Sequence, residues 1–247
     1  MPLDVGIALL AFVERVADLA SVTDVWVGGS LATGDYVPVV SDLDLVAVTS
    51  QPLTGTALER VVRAHQTLDA GLAHGLNLGC QYADEPRLHE PDIEHPTWTH
   101  GALVDRVISK ITRAELALHG FSVVGRPPGA VLPPVTADDV RAAAHAELAD
   151  YWSYAAGRPG LFLRRPVMVD LGLTAMARGR HAVAFGELLT KSEAIEQMRA
   201  PIWLRNQIRA RRRGQIVSSP RVSAAYLAWR DVARTCSASR SAPPGHD

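Results

Sequence analysis

In "VWVGGSLATGDYVPVVSDLDLVAV", residues 25–48, a short apolar run ends at Gly28-Gly29-Ser30 and a second one carries Asp42 and Asp44 at its head. Side chains alternate faces along a strand, so Asp42 and Asp44 project from the same side with Cα atoms about 6.6 Å apart. Two like charges that close repel each other, and ion pairing or a hard cation relieves the repulsion. Mg²⁺ suits such a pair, because it takes one or two carboxylates and completes its shell with phosphate oxygens at about 2.0–2.1 Å. The glycine turn supplies backbone N–H groups and the Ser30 hydroxyl at the start of a short helical turn, an arrangement that holds phosphate without steric hindrance. A Gly-Gly-Ser turn alone is only a turn, and "SDLD" alone is a strand end. Together, a dozen residues apart, they point to a nucleoside triphosphate bridged by metal.

Outward from this stretch the pattern predicts alternating elements. Residues 5–20 carry apolar side chains at helical spacing, 25–27 and 43–48 read as strands, 56–71 as a helix and 76–83 as a third strand. Residues 84–96, rich in Pro, His and acidic residues, read as loop, 102–119 as a helix, and 121–124 as a short apolar segment. "GRPPGAVLPP", residues 125–134, marks a domain boundary. Beyond it the chain reads as four or five packed helices. Thr136 with Asp139 and Thr190 with Glu193 are capping-box signatures, the first opening a helix to residue 157. Pro166, Pro201 and Pro220 stand at helix starts, and Gly179 and Gly214 at helix stops. The expected organisation is a domain over residues 1–127, a helical domain over 135–235 and a disordered tail over 236–247.

A chain of 247 residues, 47% hydrophobic and 21% charged, can bury a substantial core. Its net charge of −1 gives no global reason to expect nucleic-acid binding. The cluster Arg205, Arg209, Arg211, Arg212, Arg213 lacks interleaved aromatics and reads as a solvated helix face. Two cysteines are too few for a disulfide framework, and Cys80, in an apolar strand, reads as core. His89, His95 and His100 fit no zinc spacing. No run of about 18 apolar residues suggests a membrane span. With no basic region ahead of an apolar leader, a cytoplasmic monomer is expected.

The Gly-Ser pair, spacer and Asp-x-Asp strand resemble the signature of the nucleotidyltransferase superfamily. Within it the likeness is to the aminoglycoside adenylyltransferases that modify streptomycin and spectinomycin, over roughly residues 20–215. It is carried further by "HGFSVVGRP" (119–127), "LGLTAMARG" (171–179) and "GELLTKSEAIEQM" (186–198). The resemblance implies an α+β protein: an N-terminal nucleotidyltransferase domain, a mixed β-sheet with flanking helices, followed by a C-terminal α-helical bundle. It implies two Mg²⁺ ions, ATP as substrate, transfer of AMP to a hydroxyl of a small molecule such as an aminoglycoside, and so antibiotic resistance. Carried over by position, Asp42 and Asp44 are the metal ligands and Gly29 and Ser30 the phosphate-binding turn. Arg178 and Lys191 are cations for the phosphates. Trp98, as an aromatic from the loop after the third strand, and Asp170 are the drug contacts. Three of these residues also have a plain reading. Trp98 is a packed loop aromatic, Asp170 pairs with Arg164 or Arg165, and Lys191 is an exposed lysine in a first helical turn, where the helix dipole disfavours it.

One position departs from the family. Its general base is a glutamate inside an apolar-Glu-apolar strand triplet, and the matching triplet here is Leu76-Asn77-Leu78. Asparagine binds a hydroxyl or a bridged metal through its carbonyl but accepts no proton. Glu85 shares the strand parity of Asn77 but lies about 26 Å away in an extended strand. Asp84, Glu90, Asp92 and Glu94 would have to fold back over the site. Asn77 therefore supports an alternative, a catalytically lapsed homologue that binds nucleotide or ligand without transfer.

Overall fold

The computed structural model of the protein describes residues 1–17, 19, 21–90 and 92–241. It divides into two units, Met1–Val135 and Thr136–Asp247. In the first, the strands β1 (Val22–Val27), β2 (Leu43–Thr49), β3 (Leu78–Asp84), β4 (Glu94–Thr99), β5 (Ala102–Val107) and β6 (Phe121–Val124) form one sheet. Its order is β5-β4-β3-β2-β1-β6. β2 and β3 run parallel while the other neighbours run antiparallel, so the sheet is mixed, as expected. A parallel pair needs a crossover, and α3 (Thr56–Asp69) supplies it.

Alternation divides the side chains of the sheet between two cores. Leu43, Leu45, Ala47, Leu78, Cys80 and Tyr82 pack with α1 (Leu3–Ala17) and α3 on one face. Val46, Val48 and Ala83 pack on the other with Leu116 of α4 (Lys110–His119) and Leu132, which follows α5 (Pro128–Val131). Asp42 and Asp44 have the parity of Val46, so they stand on the α4 side. Burial pushes the Cys80 thiol up to about 12, as befits a core cysteine.

The segment after β3 differs from expectation. Residues 94–107 are a hairpin rather than loop and helix, and only 110–119 of the expected helix forms. His100 and Gly101 both adopt left-handed φ, 50° and 75°, the two-residue turn whose twist matches paired strands. It joins Thr99 to Ala102 as register partners. The helix starts later because Ser109 caps it, its hydroxyl accepting from Thr112 N at 3.1 Å.

The end of the first unit is fixed by charge. Asp24 of β1 is 1% exposed and takes Arg126 Nη2 at 2.7 Å and Nε at 3.1 Å, while Arg126 also grips Glu85 at 2.7 and 2.9 Å. The Trp26 indole donates to the Arg126 carbonyl at 2.7 Å. Gly125, at φ 75°, passes so close to Asp24 and the Thr23 carbonyl that no Cβ fits.

The second unit comprises α6 (Ala137–Ala149), α7 (Tyr151–Ala156), α8 (Pro159–Arg164), α9 (Val167–Phe185), α10 (Lys191–Gln197), α11 (Ile202–Arg212) and α12 (Arg221–Ser241). Both capping boxes form, at Thr136 with Asp139 and Thr190 with Glu193. Pro166 and Pro201 stand at N-caps, and Gly214 follows the end of α11 at φ 80°. The helix expected to reach residue 157 breaks at Asp150, whose ψ of −104° is not helical. Gly179 does not stop α9, which continues to a left-handed Gly186. Gly179 instead faces Leu148 of α6, where a Cβ would lie 3.2 Å from Leu148 Cδ2. α12 is helical to Ser241, so residues 236–241 are not the disordered tail expected, and 242–247 lie outside the described residues. Phe162, Leu173, Met176, Leu204 and Ala228 lie in its core. Arg180 of α9 reaches Asp231 of α12 at 2.9 Å, and burial keeps the Asp231 carboxyl above its ordinary range despite that arginine.

Candidate active site

Gly28 ends β1 and its N–H donates to the Asp44 carbonyl at 2.9 Å, which ties the glycine turn to β2 at the aspartate. Gly29 begins α2 (Gly29–Ala32) at φ 58°, and a Cβ there would fall on the Asp44 carboxylate. A Cβ on Gly28 would lie 3.0 Å from Leu116 Cδ2 of α4. The turn is thus wedged between an aspartate and a helix, and glycine is what lets it pass. The first N–H groups of any helical turn lack partners within it, so α2 offers donors where Asp44 offers oxygens.

Beside this turn lies a cavity of about 420 Å³, within the size range of ligand sites. Gly79, Gln81 and Thr97 contribute to its floor, and Asp44 is the register partner of Gly79, which has no side chain to fill the space. α4 gives a wall through Thr112, Glu115 and Leu116, residues three and four apart that share one helical face. Arg106 of β5 adds a cation. Asp42 lies one residue ahead of β2 and, like Asp44, is exposed. Its charge is felt nearby: burial first, then Asp4 and Asp42, holds the Tyr36 phenol above its usual range. The Tyr36 hydroxyl is buried and has no hydrogen-bond partner.

The first unit brings Gly29 and Asp44 together at the cavity, while Ser30 and Asp42 are not among the residues that line it. Asn77 stands at the head of β3 rather than in mid-strand, exposed and at φ 46°, and its carbonyl accepts from Leu43 N at 3.4 Å. The loop carboxylates do not return over the cavity. Glu85 is held by Arg126, and Asp84 is buried 3.7 Å from His95. Trp98 belongs to β4, not to a loop. It is 2% exposed, its ring stacked on His65 at 5.0 Å and its N–H given to Asp69 at 3.0 Å. Trp98 is among the residues that line the cavity, but its ring is enclosed and stacked on His65, as the packed reading has it.

In the second unit Arg178 donates from Nε to the Leu189 carbonyl at 2.8 Å, two residues before Lys191. Lys191 is the exposed first residue of α10. Asp170 lines a separate cavity of about 380 Å³ within this unit. Its partner is Arg211, bidentate at 2.7 Å, and not Arg164 or Arg165. Arg209 is likewise engaged, by Glu196 at 2.7 and 2.9 Å, so the arginine cluster is largely internal wiring of the helices.

Among the described residues no three His, Cys, Asp or Glu side chains converge into a metal-holding group. Two exposed carboxylates of one strand end remain, a donor set of hard oxygens that fits Mg²⁺ completed by phosphate. Sequence reasoning missed Arg106 and Glu115. The spacing of Thr112, Glu115 and Leu116 on one helical face was the signal available for Glu115, once α4 is known to cover the Asp44 side of the sheet.

Residues 9–94, which hold the glycine turn, the Asp-x-Asp strand and β3, match a family model described as a nucleotidyltransferase domain. The fold of the chain is similar to that of spectinomycin adenyltransferase AAD(9) from Enterococcus faecialis, whose crystal structure was determined with ATP and spectinomycin. The TM-score is 0.66 at 15% identity, over 93% of this chain and 97% of that one. No curated protein matches the chain by sequence. The resemblance to nucleotidyltransferases is thus found in a family model over residues 9–94, and the likeness to an adenyltransferase is one of fold. Among the described residues no helix is long and apolar enough to cross a membrane.

Proposed function

We propose that the protein is a Mg²⁺-dependent nucleotidyltransferase that moves AMP from ATP to a hydroxyl of a small acceptor of the aminoglycoside kind. The observation that carries this reading is the contact between Gly29 and the Asp44 carboxylate at the edge of the cavity. It sets phosphate donors and metal-binding oxygens side by side. Asp42 and Asp44 would hold the metal, which when bound polarises the phosphate and the attacking hydroxyl. Gly29 and Ser30 would hold the outer phosphates. The similarity in fold to an enzyme solved with ATP and spectinomycin supports the acceptor class. The protein is expected to release pyrophosphate from ATP and Mg²⁺ when offered streptomycin or spectinomycin, and Asp44→Asn to abolish the release. ATP binding without turnover across a broad aminoglycoside panel would reject the reading.

Asn77 favours a second reading, a nucleotide-binding relative that has lost transfer. Turnover that appears only in Asn77→Glu would support it, and an active unmodified chain would end it.

A further inference from the structure

Transfer of AMP to a hydroxyl needs a group that takes the hydroxyl proton, and Asn77 cannot be that group. We propose that Glu115 is the general base, an assignment that rests on the transfer reading above.

Among the described residues, Asp44 and Glu115 are the two carboxylates that line the 420 Å³ cavity. They reach it from different elements, Asp44 from the sheet and Glu115 from α4, and Gly28 packs on Leu116, the residue after Glu115. The helical face that brings Leu116 onto the glycine turn therefore brings Glu115 to the same cavity. Glu115 is half-buried and lines the cavity. The loop carboxylates Asp84, Glu85, Glu90, Asp92 and Glu94 do not line the cavity.

The step balances. The acceptor hydroxyl gives its proton to a Glu115 carboxylate oxygen as its own oxygen bonds to the α-phosphorus. The bond from that phosphorus to the α,β-bridging oxygen breaks, and pyrophosphate leaves with the electron pair. Glu115 then returns the proton to water.

The test compares the unmodified chain with Glu115→Gln in pyrophosphate release from ATP, Mg²⁺ and an aminoglycoside panel. Loss of a general base costs about 10²–10⁴-fold in kcat. The expected result is a loss in that range, ATP affinity changed by less than about twofold, and disappearance of the acidic limb of the pH profile of kcat. Glu115→Asp, one methylene shorter, is expected to keep that limb at a reduced rate, and it serves as the second variant should the glutamine form not fold. Unchanged kcat, or a reduced kcat with the acidic limb intact, in Glu115→Gln would overturn the assignment alone. No release by the unmodified chain with any acceptor would overturn both the assignment and the function beneath it.

Discussion

The carboxylate of Asp44 occupies the space in which a Cβ of residue 29 would sit. The two residues come from different elements, and each limits the other: Gly29 must be glycine for Asp44 to keep its rotamer. Gly29→Ala adds a methyl at φ 58°, a conformation costing roughly 1–2 kcal/mol in an L residue. Asp44 must then swing away. Calorimetric titration should show Mg²⁺-dependent ATP binding weakened at least about tenfold, with the melting transition preserved. Wild-type affinity would mean that the turn does not position the aspartate.

Arg126 and Asp24 make a pH-dependent clasp at the end of the first unit. Burial raises the Asp24 carboxyl, but hydrogen bonds from the Arg126 side chain and backbone, with Thr23, outweigh it and hold the group below its ordinary 3.8. A depressed carboxylate contributes fully above its unfolded value and loses its contribution as pH falls through the folded one. Asp24→Asn should therefore cost about 2 kcal/mol near neutrality, the scale of hydrogen bonds to a charged group. The cost should shrink below pH 4. Urea denaturation of both proteins at pH 7 and pH 3 measures the difference, and a gap that widens in acid would contradict the clasp.

His65 couples stability to pH in the same direction, but through burial rather than through an ion pair. Enclosed by Phe12, Tyr82 and Trp98, it is held down to about 3 by burial. Between about pH 6.5 and 3 the unfolded chain binds a proton that the folded chain refuses, so stability falls as pH falls, by roughly 1.4 kcal/mol per unit at most. His65→Gln should be less stable at pH 7, because it loses the packed ring, yet show a shallower loss between pH 6 and 4. Parallel pH profiles for the two proteins would show that His65 is not the group refusing the proton.

Local signals made much of this molecule legible. The glycine turn and the Asp-x-Asp strand each announce themselves within a few residues, and a capping box needs only Thr136 and Asp139. The hairpin β4–β5 was hidden because "ALVDRV" mixes apolar and charged residues in a way that also suits a helix, and its real signal was the His100-Gly101 turn. Gly179 could stop a helix or make room for a neighbour, and only the presence of Leu148 distinguishes the two. Asp170 was sought a pairing partner nearby, whereas Arg211 reaches it from α11. Glu115 carries no motif at all. Its place on the cavity that Asp44 also lines depends on which face of the sheet α4 covers, and that is settled by packing at long range.

Asp44 and Gly79 are neighbours only because β2 and β3 run parallel, with the α3 crossover between them. Pairings of high sequence separation are slow to form, since the closure entropy of the connection precedes any reward. The cavity beside Asp44 is therefore among the last features a refolding chain can complete. Recovery of ATP binding after dilution from denaturant would lag behind recovery of helical signal, and ligand capture would mark the final commitment of the sheet.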